Sequence, residues 1–301
     1  MFSSILPLHK WIGARIPKNF YNDHCIYLFP MLGWFLFSGL LSSYNKYVFG
    51  DEHMAFPCPL MLTSIHFAIQ FLFSYSVTKT FPHIFGGDEV DNMPWETYLW
   101  VCVPCGMITA LDVGFSNLAL VYITISFYTM VKASAPIFVV ISAYLFGIEK
   151  ITAPLILVVL IISSGELLTV LGEVDFNALG FTYGMIASVL SGMRWTVVQL
   201  QIQKLDPPLK TPITTMRVLS PVMFLSMCML SIISEQPWNK FKGTDYMDSF
   251  EDASKTIGLG VLGALLAICM LTCEFHLIMK SSAVILMIGG VLKELTTIFI
   301  G

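Results

Sequence analysis

Charged residues are scarce in this sequence. Of its 301 residues only 12% are Asp, Glu, Lys or Arg, whereas 56% are hydrophobic and the mean hydropathy is +0.76. A soluble domain usually carries about 25% charged residues. No basic run is long enough for nucleic acid, and the net charge of −4 is too small to indicate a partner. The composition is typical of a chain that crosses a lipid bilayer many times.

Signatures of metal, cofactor and catalytic sites are also missing. The two cysteines of CVPC (Cys102 and Cys105) have no second CxxC or His pair with which to form a zinc site, so we predict that they pack as small hydrophobes. His66 and His276 are isolated, and no nucleophile or acid–base pair is recognisable. We therefore expect no metal, no cofactor and no enzymatic activity.

The first 25 residues lack the continuous apolar core of a secretory signal, so the first span should direct insertion.

Nine apolar segments are long enough to span a membrane, which needs about 20 residues each. They lie at 27–49, 58–78, 97–118, 122–146, 151–171, 177–200, 212–234, 256–279 and 282–301. The predicted fold class is an all-α polytopic membrane protein. We expect residues 1–26 to form an N-terminal segment, 27–171 a first repeat of five spans, and 172–301 a second repeat of four, with its fifth span apparently missing.

The loop cations predict the orientation, because Lys and Arg are enriched on the cytosolic side. If the N-terminus is cytosolic, eight cations lie inside and three lie outside. The inside set is Lys10, Arg15, Lys18, Lys79, Lys150, Lys204, Lys210 and Lys280, and the outside set is Lys240, Lys242 and Lys255. The sequence therefore predicts a cytosolic N-terminus.

Two lysines stand in the middle of predicted spans. Lys132 and Lys293 are each followed by Ile-Phe at the same distance, which indicates duplicated segments that share one partner. A charge at the bilayer centre costs about 2.5–3.5 kcal/mol on insertion scales, so such residues usually face a cavity or an ion partner. Pro136 should interrupt the helix after Lys132. Tyr128 and Ser126 should line the same face as Lys132.

The surroundings of Lys293 also suit an anion site. Gly289 lies one turn before it and allows close approach, and Thr296 lies nearby with a hydroxyl. Arg194 is a further candidate for a phosphate or gating contact. Internal pairing is the alternative for these cations, since Asp112, Glu166, Glu274 and Glu294 lie in or near spans. Lys46 and Arg217 lie near span ends, from which long side chains reach the interface.

Several motifs, taken in order, resemble those of the triose-phosphate and nucleotide-sugar translocators of the drug/metabolite transporter superfamily. The matching segments are SSYNKYVF (42–49), TALDVGFSNLALVYITISFYTMVKASAPIF (109–138), SGMRWTVVQLQIQK (191–204) and KSSAVILMIGGVLKEL (280–295). They look closest to the branch near the GDP-fucose transporters. The resemblance implies an inverted repeat of ten helices in a Golgi or endoplasmic reticulum membrane. It also implies exchange of a nucleotide sugar for a nucleoside monophosphate, with Lys132 and Lys293 contacting the substrate.

The sequence departs from the family pattern in two places. Plastid phosphate translocators place Arg directly after the ninth-span Lys, where this chain has Glu294, which argues against a simple triose phosphate. The seventh span reads TTMRVLSPVMF instead of the FYNN motif of GDP-mannose carriers. The alternatives are a carrier of another phosphorylated or organic-anion solute and a non-transporting trafficking adaptor. A homodimer is left open.

Overall fold

The computed structural model describes residues 20–50, 54–147, 176–204, 211–241 and 250–280, together with isolated positions including Leu209, Tyr246, Gly289 and Gly290. The described residues contain helices and no strands. The long helices are α1 (Phe20–Phe49), α2 (Pro59–Thr80), α3 (Val103–Tyr122), α4 (Ile125–Lys132), α5 (Ala135–Leu145), α6 (Ala178–Lys204), α7 (Pro212–Ser234) and α8 (Phe250–Lys280). Short helices occupy Pro82–Phe85, Gly87–Asp91, Trp95–Thr97 and Pro237–Lys240, and a π-helical turn at Tyr98–Cys102 leads into α3.

The predicted class, an all-α polytopic membrane protein, is confirmed. Five helical stretches within the described residues have the length and apolar composition of membrane spans. They are Pro59–Thr80, Trp95–Tyr122, Ile125–Leu145, Pro212–Ser234 and Glu251–Lys280. Helices α1 and α6, of 30 and 27 residues, coincide with two further predicted spans. Most of the predicted span at 151–171, and all of that at 282–301 except Gly289 and Gly290, lies outside the described residues.

The burial pattern of α2 is the reverse of that in a soluble helix. Its buried residues include many polar ones, namely Thr63, Ser64, His66, Gln70, Ser74 and Thr78. On the opposite side Leu72 is 61% exposed. Lipid is a good solvent for the apolar side chains, so the polar side chains collect where other helices can bond them. A polar interior of this kind can hold a hydrophilic site.

The helices pack in pairs that relate the two ends of the chain. α3 packs along α6, α2 along α7, and α1 along α8. α7 also contacts α3, and α8 also contacts α2. If α1, α2 and α3 are exchanged with α6, α7 and α8 respectively, every one of these five pairings maps onto another in the set or onto itself. α6, which packs along α3, also contacts α8.

Charged and hydroxyl side chains fix the starts of two spans. The Glu235 carboxylate, just beyond α7, accepts hydrogen bonds from the backbone N–H groups of Leu60 and Met61 at 2.7 and 3.0 Å. These N–H groups open α2 and have no carbonyl partner within their own helix. At the start of α7, Thr211 and Thr214 form a reciprocal capping box. The acceptor for the first N–H groups of α2 thus comes from the residue that follows α7. This contact fixes the position of the two helices along each other.

Candidate functional site

Four charged side chains from four helices meet inside the bundle. Lys132 Nζ, at the end of α4, lies 2.6 Å from Asp112 Oδ1 of α3. Arg194 Nε of α6 lies 2.9 Å from the other oxygen of the same carboxylate. The Arg194 guanidinium also forms an ion pair with the Glu274 carboxylate of α8. We refer to these four residues as the charge cluster. Its formal charges sum to zero.

The charge cluster is almost fully withdrawn from the surface. The exposed fractions of Asp112, Arg194 and Glu274 are 4%, 9% and 2%, and the Lys132 side chain is 12% exposed. Removing an ion from water costs several kcal/mol even after relaxation, so buried charges require close partners. Each cation here has a carboxylate within hydrogen-bonding distance. The internal pairing considered from the sequence is therefore present for Lys132 and Arg194.

A break in the fourth span presents Lys132 to the cluster. α4 ends at Lys132 and α5 begins at Ala135, with Pro136 in its first turn. The predicted interruption is confirmed, because proline cannot donate the helical hydrogen bond and clashes with the preceding turn. Lys132 Nζ also donates to the Ala187 carbonyl oxygen of α6 at 3.0 Å. The ammonium group is thus held between α3 and α6.

A cavity of about 160 Å³ borders the cluster. Its lining includes the four cluster residues. It also includes uncharged polar residues of α1 and α3, namely Ser38, Ser42, Asn45, Ser116 and Asn117. Trp34, Tyr128 and Trp195 add aromatic walls, and the Trp34 and Trp195 rings lie 6.0 Å apart. One small space therefore combines opposite charges, hydroxyl and amide groups and aromatic faces.

Two polar groups on the cavity wall have no hydrogen-bond partner among the described residues. They are Asn45 Oδ1 and Trp195 Nε1. The Asn45 amide nitrogen donates to Asn117 Oδ1 at 3.0 Å, and Asn117 Nδ2 donates to Thr63 Oγ1 at 2.7 Å. The amide of Asn45 is thereby oriented while its oxygen stays available. Buried polar atoms are normally satisfied, so an acceptor and a donor left over in a cavity suit a polar ligand.

The predicted site residues divide into three groups. Lys132, Arg194 and Tyr128 come together on the cavity wall. Ser126 is half-buried and is not among the described residues that line the cavity, while Gly289 is buried and packs against Met31 and Trp34 instead. Its neighbour Gly290 does line the cavity. Lys293 and Thr296 lie outside the described residues.

Two further predictions concern the cations near span ends. The expectation that Arg217 extends to the interface is wrong, because its side chain is 8% exposed and forms an ion pair with Asp91. Its guanidinium also lies 5.1 Å from the centre of the Tyr75 ring. Lys46 Nζ donates to the carbonyl oxygens of Leu120 and Ile123 at 3.2 and 3.1 Å, at the C-terminal end of α3. Both cations therefore fasten span ends inside the protein.

The fold and the site together define the class: an all-α polytopic membrane protein with a buried charge cluster beside a polar cavity. The chain belongs to the Triose-phosphate Transporter family, whose model matches residues 26–301.

Several curated proteins of this family are similar to the chain. An Arabidopsis thaliana protein is 38% identical over 273 residues, which are 91% of this chain and 65% of the relative, so the chain spans about two thirds of that length. A second Arabidopsis protein is 27% identical and covers 93% of the chain and 80% of the relative. Both are provisionally named sugar phosphate/phosphate translocators. The Saccharomyces cerevisiae protein YMD8, provisionally named a nucleotide-sugar transporter, is 25% identical and covers 93% of the chain and 78% of the relative.

Proposed function

We propose that the chain is a secondary transporter that exchanges a phosphorylated sugar compound for a smaller phosphate-bearing product. The observation that supports this most is the position of Lys132 and Arg194. They reach from different helices to one cavity in a chain of the Triose-phosphate Transporter family. Ammonium and guanidinium groups bind phosphate oxygens through charge-assisted hydrogen bonds, and guanidinium can do so with two parallel bonds. No enzymatic step is part of this proposal.

The cavity lining suits the two parts of such a substrate. The phosphate would bind beside the charge cluster, to Lys132 and Arg194, with Lys293 and Thr296 approaching from the ninth predicted span. The sugar hydroxyls would bind the uncharged polar residues, among which Asn45 Oδ1 is an acceptor without a partner among the described residues. Tyr128 would contribute an aromatic wall and a hydroxyl. Ser126 and Gly289 would act indirectly, through the packing of their spans.

Two substrate classes are favoured by different observations. The motif resemblance and the yeast relative favour a nucleotide sugar exchanged for a nucleoside monophosphate. The names of the two Arabidopsis relatives favour a sugar phosphate exchanged for phosphate. The phosphate requirement is common to both classes, so the same cations would serve either. Glu294 beside Lys293 weighs against a bare triose phosphate, because this chain has a carboxylate where the plastid phosphate translocators have a second cation.

Transport would proceed by movement of one repeat against the other around the central site. The proposed repeats are 27–171 and 172–301, and their helices pack in the exchangeable pairs described above. Opposite insertion of the two repeats would bring Lys132 and Lys293 together near the midplane. We place the protein in a Golgi or endoplasmic reticulum membrane with its N-terminus in the cytosol. It would work as a monomer or as a homodimer, since the cavity is built within one chain.

Exchange in proteoliposomes tests the proposal. The full-length protein would be reconstituted with internal UMP, GMP or inorganic phosphate, and offered labelled UDP-glucose, GDP-mannose, glucose 6-phosphate or triose phosphate. We expect saturable uptake of one class that the internal counter-substrate accelerates. Lys132→Ala should lower the exchange rate at least tenfold, because a hydrogen bond to a charged group contributes about 1.5–3 kcal/mol.

Lys255→Ala is the matched control, since this lysine is exposed at the start of α8, with 64% of its side chain accessible. Its exchange rate should equal that of the wild type. Unchanged exchange by folded Lys132→Ala would contradict the site assignment. Binding of the panel without exchange would favour the trafficking-adaptor alternative.

A further inference from the structure

The charge cluster has no cation to spare among its four members. Lys132 is paired with Asp112 at 2.6 Å, and Arg194 bonds Asp112 at 2.9 Å and also pairs with Glu274. The site that should attract an anion is therefore already occupied by the protein's own carboxylates. Arg194 bonds these carboxylates through two of its five N–H groups. An incoming phosphate must therefore either displace a carboxylate oxygen or bond directly beside one.

Neighbouring helices supply no further described cation to compensate the displaced carboxylates. On α1 the nearest cation is Lys46, which is bonded to backbone carbonyls at the end of α3. On α7 it is Arg217, which is paired with Asp91 at one end of the bundle. His66 of α2 packs against Gly263 of α8, and Tyr128 of α4 lines the cavity. Lys293, which is proposed above to approach the phosphate, and its sequence neighbour Glu294 lie outside the described residues.

Substrate binding would thus bring a dianion into a buried site that already contains two carboxylates. Asp112 and Glu274 are 4% and 2% exposed, so bulk water screens them little. Like charges that share a buried site cannot all remain ionised, and one carboxylate takes up a proton instead. The same cost would make binding of the bare dianion to the ionised cluster very weak.

We propose that anion binding at the charge cluster is coupled to protonation of the Asp112–Glu274 carboxylate pair, so that this carrier moves a proton together with its phosphorylated substrate. A proton from water bonds to one carboxylate oxygen as the phosphate takes its place beside the cation. No covalent bond of the substrate forms or breaks. When the substrate leaves, the ion pairs re-form and the proton returns to water on the side to which the site is then open. The inference rests on the proposed function and adds a coupling ion to it.

A consequence concerns the empty carrier. A site with unpaired cations would resist reorientation without an anion, and this would enforce strict exchange. The cluster here neutralises itself when empty, so the empty carrier can also reorient. We therefore expect net uptake driven by a pH gradient in addition to exchange between two substrates.

The first test measures apparent affinity against pH in the exchange assay, with UDP-glucose or glucose 6-phosphate as the probe. Between pH 7.5 and 8.5 the phosphate charge of both probes is nearly constant. The second pKa of a phosphate monoester such as glucose 6-phosphate is about 6, and the diphosphate diester of UDP-glucose has no group that titrates in this range. If one proton is taken up on binding, the affinity should fall about tenfold for each unit by which the pH rises. Asp112→Asn and Glu274→Gln should each flatten this slope, whatever they do to the maximal rate. Glu251→Gln, whose side chain is 77% exposed, should keep the wild-type slope.

The second test uses vesicles without internal substrate that contain the pH dye pyranine. An acidic exterior should drive uptake of the same probe, and addition of the probe should acidify the vesicle interior faster than the leak measured without it. Exchange that proceeds with a pH-independent affinity and no gradient-driven uptake would overturn the proton coupling and leave the proposed function standing. Absence of exchange with every probe would overturn both.

Discussion

Removal of Arg194 should cost the protein more stability than the loss of any surface charge. Its guanidinium bonds Asp112 and pairs with Glu274, and the three side chains are 10%, 5% and 3% exposed. Breaking a buried ion pair by removing one partner costs about 3–5 kcal/mol, because the remaining charge is left uncompensated. In Arg194→Gln, Asp112 keeps Lys132 at 2.6 Å, whereas Glu274 keeps no cation among the described residues. We therefore expect a loss near the middle of that range.

The double variant Arg194→Gln/Glu274→Gln separates lost attraction from stranded charge. Both variants lack the same cation, but the double variant also lacks the carboxylate that would be stranded. Removal of both partners leaves no uncompensated charge in the buried site. We expect the double variant to be at least about 2 kcal/mol more stable than Arg194→Gln, although it carries one more substitution.

The assay is equilibrium unfolding of the purified protein in mixed micelles of a mild detergent and increasing SDS, followed by helical circular dichroism. Glu251→Gln is the control, since the exposed pair of Glu251 with Lys255 should contribute less than about 1 kcal/mol. The reasoning would be refuted by a loss under about 1 kcal/mol in Arg194→Gln. It would also be refuted by a double variant that is no more stable than the single one.

Two further predictions concern helix contacts and acid stability. A Cβ at Gly263 would overlap the His66 ring and lie 2.7 Å from a ring carbon of Tyr44, so Gly263→Ala should destabilise by about 1–3 kcal/mol in the SDS assay. Gly258→Ala, in the same helix with nothing within 4 Å, should be neutral or slightly stabilising, and equal effects of the two would contradict the packing described. At one end of the bundle, the hydrogen bond from Lys79 holds the pKa of Asp91 below its ordinary value, with Arg217 contributing. The stability difference between wild type and Asp91→Asn should therefore be complete at pH 7 and should vanish as the pH falls below about 4 and through the lowered pKa. A difference that stays constant with pH would show that the Asp91 charge is not involved.

The positions of the spans could be predicted from the sequence because apolar length alone determines what can cross a bilayer. The segment predicted at 212–234 coincides with α7, and that at 58–78 differs from α2 by one or two residues at each end. Larger differences occur where a helix continues through polar residues beyond its apolar run. α8 begins at Phe250, six residues before the predicted span, because Glu251 and Asp252 suit the first turn of a helix in water.

The partners of the buried cations could not be predicted in the same way. Asp112 stands out in sequence as an acid within an apolar run, but Arg194 is 82 residues away from it and 80 from Glu274. Such pairings depend on which helices cross and at what height, which a hydropathy pattern does not contain. Arg217 shows the same limit. Its place near a span end predicted an exposed cation, yet the loop that carries Asp91 folds back and covers it.

The uncharged polar residues near the cavity are indicated even less clearly by the sequence. Asn45, Asn117 and Thr63 form one hydrogen-bonded chain across three helices. Each is a neutral polar residue in a predicted span, and most such residues simply pack or bond within their own helix. Their importance follows only from the geometry, which leaves the Asn45 oxygen without a partner on the cavity wall.

Internal pairing and ligand contact stood as alternatives for Lys132. They are compatible once the free-energy cost of burying charges is considered. Stability alone is a poor reason to keep four buried charges, because apolar residues of similar volume would often serve as well or better. The cluster also lies on a cavity wall and not within a sealed core. A chain that retains such charges there needs them in a second state, in which the cations bind something other than Asp112 and Glu274. We infer that the ion pairs belong to the empty site and the phosphate contacts to the loaded one, with the same two cations serving in turn.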